Sequence, residues 1–144
     1  MLYHMNRSKF IFAIFILFGC FGLSCTFTTS RTKNPEFRIT ADSLVINLNK
    51  LVTCKHYNLD GTEKKTNGKI SDELEIDIIN GRDIPSADDP MKALGKSIAS
   101  EVKLALKRPD EYMIYKVLFV KQTASAGITV NSYKSVAFKT EEIQ

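Results

Sequence analysis

The chain has 144 residues, 20 of them basic and 16 acidic, for a formal net charge of +4, with three cysteines and no tryptophan. Two of the cations, Arg7 and Lys9, fall in the first ten residues; twenty less these two leaves 18 basic against 16 acidic groups from residue 25 onward. That near balance gives no strongly basic surface of the kind nucleic-acid binding requires, and roughly 100 residues suffice for one domain with one modest core.

The chain opens on a short basic stretch, then Phe10 to Leu23 carries no charge, and Ser24-Cys25-Thr26-Phe27-Thr28-Thr29-Ser30 turns abruptly polar. The apolar run has the length of a signal h-region and falls short of the roughly 18 residues expected of a membrane-spanning helix. This order resembles a bacterial lipoprotein leader, cleaved by the type II signal peptidase; serine just before the cysteine is familiar in Bacteroidota. The resemblance covers only the leader. It implies a signal peptide over residues 1–24, lipid on Cys25, and residence in the bacterial cell envelope, anchored to the membrane and facing the periplasm or the cell surface. Cys20 is the alternative lipid site: Leu17 and Gly19 before it suit a lipobox better, but the polar tether starts directly after Cys25. With Cys25 lipidated, Cys54 is the sole remaining thiol, forms no internal disulfide, and is expected as a small buried hydrophobe.

Residues 25–36, polar, unpatterned and broken by Pro35, read as the lipidated cysteine and a flexible tether. The domain spans 37–140. Phe37-Arg38-Ile39 is a candidate first strand, and Leu44, Ile46, Leu48, Val52, Cys54 and His56 share one parity, predicting a second strand from 44 to 57 in preference to a helix. Asp60-Gly61 signals a turn, and 62–68 a polar hairpin tip. Leu74, Ile76 and Ile78 then alternate with Glu73, Glu75 and Asp77, the pattern of a sheet with one face on the core and one in water. Asp89-Pro90 predicts a helix start with Pro at the first position; Met91, Leu94, Ile98, Val102 and Ala105 form its apolar stripe, and Lys107-Arg108-Pro109 closes it. Tyr112 to Gln122, apolar on both faces, is a central strand covered on both sides, followed by a turn, a returning strand over 128–139, and a free tail at 141–144.

The expected fold is therefore α+β: an antiparallel sheet of four or five strands with one amphipathic helix across one face, in the order β-β-(β)-α-β-β.

Chemistry-bearing motifs are sparse. Ser100 and Lys103 match the Ser-x-x-Lys spacing of penicillin-recognising serine enzymes, but the companion elements of that family are missing and the chain is too short for its fold. His56 and Cys54 are too few for a common metal site. The acidic row Glu73, Glu75, Asp77 and the loop Asn80-Gly81-Arg82-Asp83-Ile84-Pro85 remain, with Glu75, Asp77, Arg82 and Asp83 as the residues expected to meet a cation or a partner. Gly81 is the position where this loop is expected to take a positive φ. The reading is a non-enzymatic, cofactor-free envelope protein, held to the membrane by its N-terminal lipid, whose exposed sheet face or edge binds an envelope protein. The alternative is a divalent-cation or small-ligand binder using the acidic strand face and the 81–89 loop.

Overall fold

The computed structural model describes residues 27–125 and 128–144. The leader, Cys20 and Cys25 lie outside the described residues. Five strands form one sheet in the order β1-β2-β3-β4-β5: β1 Thr28–Thr32, β2 His56–Thr66, β3 Lys69–Ile79, β4 Ile114–Ser125 and β5 Ile128–Lys139. Two helices, α1 Ala41–Asn49 and α2 Asp88–Ala105, cover one face. The fold is α+β, as expected, but the sheet is mixed and the described residues form two α-helices.

The alternation in β3 survives intact: Leu74, Ile76 and Ile78 are fully buried under the helices with Tyr115 and Val117 of β4. The order of β3 and β4 does not follow the antiparallel expectation; they run parallel, Glu73 opposite Ile114 through Ile79 opposite Val120. The reason is α2. Eighteen residues of helix carry the chain back to the start of the sheet, a crossover that parallel neighbours need and a hairpin cannot supply. Its apolar stripe behaves as its spacing dictates, with Met91, Ile98, Val102 and Ala105 buried. The helix begins earlier than expected. Asp88 is its first residue and Pro90 its third, a place that Pro tolerates because N–H groups of the first turn have no partner within the helix.

Residues 41–49 are helical, not extended. Leu44 and Leu48 are buried, and Thr40 caps the helix by accepting the Ser43 N–H at 3.2 Å. A spacing of four satisfies period two as well as a helix face, so Leu44, Leu48 and Val52 fit both patterns. Ile46 is the residue that separates them, and it is exposed.

Asp60-Gly61 is no turn; both residues lie inside β2, which pairs with β3 without a break from His56 to Thr66. Gly61 is there for close approach. Its carbonyl accepts from Lys33 N–H at 2.8 Å, and a Cβ would collide with the Lys33 carbonyl and the Tyr112 ring. The chain reverses instead at Asn67-Gly68, both at positive φ (50° and 82°), the pair that a two-residue hairpin favours.

Both ends expected to be free are docked. Within the tether, Thr28–Thr32 pairs antiparallel with Thr62–Thr66 as an edge strand, and Lys33 reaches Asp72 at 2.7 Å and lies over the Tyr112 ring. Phe37 forms a single bridge to Leu106 rather than a strand. At the other end, Thr140–Glu142 makes a 3-10 turn, Ile143 is 2% exposed in the core, and the Lys103 amine donates to the Thr140 and Ile143 carbonyls at 2.9 and 2.7 Å. The strand β4 is central, as its composition predicts. Its second face is covered by no described element.

Candidate functional site

The open face of the sheet carries the acidic row. Glu73 is held by Lys64 at 3.0 Å and Glu75 by Lys116 at 2.8 Å. The Lys116 amine is shifted upward, chiefly by its hydrogen bond to Glu75. Asp77 differs. Burial pushes its carboxyl above the usual range, an Asn58 hydrogen bond opposes this, and the nearby Glu75 and Asp60 charges add to it. One of its oxygens is buried with no partner. Among the described residues, no group of three His, Cys, Asp or Glu side chains is arranged to hold a metal ion.

The structure does not gather the four expected contact residues. Glu75 and Asp77 share the open face of β3 with Lys116 and Asn58, while Arg82 and Asp83 lie in the loop past the end of the strand. The Arg82 N–H bonds to the Thr53 carbonyl at 2.8 Å, and its side chain is exposed. The left-handed positions in this loop are Asn80 and Asp83, at φ 53° and 57°, and not Gly81. Asn80 adopts it because its side chain is useful there: its amide oxygen accepts from Gln122 N–H, and its own N–H bonds to Val120, extending the β3–β4 pairing past the last strand residue. Gly81 instead leaves room for its neighbours, since a Cβ would press on the Ile84 and Ile78 side chains.

That loop walls a cavity of about 840 Å³ at the end of β3, beside Phe119 to Lys121 of β4. Ile78 and Phe119 line it from the helix-covered side, Ile84 and Pro85 from the loop, and Ser132 to Lys134 from β5. Its charged groups are Asp83, Lys121 and Lys134. The Lys134 amine donates to the Ser86 carbonyl at 3.0 Å, tying β5 to the loop.

Beside the cavity runs the outer edge of β5, which no other described strand pairs with. Val120 accepts from Asn80, and Gln122 donates to its side chain, so even residues of β4 direct their backbone groups at β3 and odd residues at β5. The β5 partners of those odd residues are even: Phe138, Val136, Lys134, Ser132 and Val130. The N–H and C=O groups of Thr129, Asn131, Tyr133, Ser135 and Ala137 therefore face outward. The Lys139 N–H is already taken by the Glu142 carboxylate at 2.8 Å. Over its 12 residues β5 has no Pro, no Gly, no acid and no bulge. Those are the usual devices that blunt an edge, apart from lysine, and Lys134 and Lys139 are its only charges. A reading by alternation finds this strand but not its place: nothing in residues 128–139 says that it ends the sheet.

The other motifs resolve into packing. Lys103, the partner of Ser100, is committed to two carbonyls. His56 is exposed; Cys54 packs half-buried against the core, its thiol donating to the His56 carbonyl at 3.2 Å and pushed up by burial. Tyr57 is likewise raised by burial, its hydroxyl donating to the Val52 carbonyl with the Asn49 side chain also in reach at 2.9 Å. No described helix is long and apolar enough to cross a membrane. Compared with protein-family models, with curated proteins and with solved structures, the chain matches none.

Proposed function

We propose that this is a lipid-anchored protein of the bacterial cell envelope with a non-enzymatic binding domain, and that it engages an extended segment of another envelope protein along β5. The observation that carries the reading is the unblunted 12-residue edge lying against the cavity at the end of the sheet. Main-chain groups of an added strand pair with the outward N–H and C=O groups from Thr129 to Ala137, and its side chains on the helix side reach the cavity. The charges favour a partner over a second copy. Two antiparallel β5 strands paired about their centres bring Lys134 within two positions of its own copy, with no acid on either strand to offset it, whereas an acid-bearing segment meets Lys121 and Lys134.

The test places a photo-cross-linker at Tyr133 of the full chain in cells. A defined adduct with a second protein is expected. Ser135→Pro, which removes one outward donor, abolishes the adduct, while a cross-linker at Thr29 on the opposite edge gives none. An adduct indifferent to Ser135→Pro, or one of two copies of this chain, overturns the reading.

A further inference from the structure

We propose that the Asn67-Gly68 end of the sheet lies on the headgroup layer of the anchoring membrane, with Phe27 and Ile70 in the interface and Lys65 and Lys69 against anionic headgroups. This rests on lipidation at Cys25.

The geometry starts from how tightly the chain is fastened where it enters the sheet. Phe27 N–H donates to the Asn67 side chain at 3.3 Å, and Asn67 N–H donates back to the Phe27 carbonyl at 3.2 Å. The following residues are zipped to β2, Thr28 opposite Thr66 through Thr32 opposite Thr62. No slack remains after Phe27. Before it, Thr26 alone separates Phe27 from Cys25, and two residues of extended chain span only about 7 Å. A glyceryl-linked cysteine sits at the level of the headgroups, so the turn beside Phe27 is brought to the same depth.

The residues found there suit that depth. Phe27 is 72% exposed and Ile70 56%, both large and apolar, and Lys65 lies directly opposite Ile70 in the ladder. Lys65 and Lys69 are exposed and have no ion-pair partner among the described residues, whereas nearby Lys64, Arg31 and Lys33 are paired with Glu73, Glu63 and Asp72. An apolar pair flanked by free lysines is what an anionic membrane surface holds. The consequence is orientation. From Lys69 to Ile79 is 11 residues, roughly 35 Å at the rise of a strand, so the cavity and the free end of β5 project away from the bilayer.

Because the chain has no tryptophan, single-Trp variants give one clean emission. The full chain, matured and purified with its lipid, is placed in vesicles of phosphatidylethanolamine with a minority of phosphatidylglycerol, acyl chains brominated near the carbonyl. Phe27→Trp and Ile70→Trp are expected to be quenched at least roughly twofold more than Tyr133→Trp at the far end, and replacing the phosphatidylglycerol by phosphatidylcholine lowers the Ile70→Trp quenching. Mass spectrometry of the same sample reads the lipid. A chain lipidated on Cys25 whose Ile70→Trp is quenched no more than Tyr133→Trp overturns the orientation alone. A mature chain without lipid on Cys25 overturns the anchoring and the orientation with it.

Discussion

Asp77 is the residue whose surroundings oppose its charge most plainly. Its carboxyl is shifted upward by burial, and one oxygen has no partner. A carboxyl with a folded-state pKa above its unfolded value binds its proton more tightly when folded. Stability is then greatest below the ordinary carboxylate range and falls as pH rises from about 4 through the raised value. Asp77→Asn removes that loss. The variant is expected to melt roughly 2–4 °C above the parent at pH 7, with the gap closing by about pH 3, where the parent is protonated in both states. A parent that melts higher at pH 7 means that the carboxylate holds something, and the cation-binding alternative then gains ground. Gly61 is likewise set by its surroundings: its value lies in the backbone of Lys33 and the ring of Tyr112 that it admits, contacts tens of positions away in sequence.

At the scale of elements, the two ends of the chain matter most. A free tail and a docked one differ sharply in what deletion does. Removing residues 141–144 takes away buried Ile143, one acceptor of the Lys103 amine, and the Glu142 carboxylate that closes the lower end of the β5 edge. The loss is expected to be about 2–4 kcal/mol in a urea melt, the scale of emptying a core aliphatic site. A midpoint unchanged by the deletion refutes the docking. Among the helices, α2 is readable because its stripe, Met91 to Ala105, covers about four turns and period two cannot imitate it for long. In α1 only two residues, Leu44 and Leu48, carry the face, and two positions four apart cannot choose between periods.

For the whole molecule, the decisive property is asymmetry. One face of the sheet is sealed by α1 and α2, the other is covered by no described element, and the two edges differ in kind: β1 is a strand of five residues and β5 one of twelve in unbroken register. The strand's two sets of backbone groups give a sharp contrast. Val136 faces β4, opposite Val117, so Val136→Pro breaks the sheet and costs about 3 kcal/mol or more. Ser135 faces solvent, and proline is tolerated on edge strands with the N–H side outward. Ser135→Pro is therefore expected to melt close to the parent. Equal loss in both variants means that the outward assignment is wrong, and with it the site.

The sequence by itself determined whatever depends on neighbours in the chain. Alternation in β3 sets which face Leu74, Ile76 and Ile78 bury; the spacing of Met91 to Ala105 makes α2; the mixed order of strands and helix makes the class α+β. These patterns are local, and side-chain periodicity records them directly. Tertiary structure alone decided the rest. That β3 and β4 are parallel, that Thr28–Thr32 joins the sheet, that Ile143 is buried and that β5 is an edge are all facts about which distant segments meet. A strand reads the same whether it is central or last, since its own alternation reports burial above and below but not who lies beside it. The candidate site is built from that sideways relation. Asp83 of the loop, Phe119 and Lys121 of β4 and Lys134 of β5 surround one cavity, and no spacing along the chain announces it, because the ladder that aligns them is set by pairing across strands.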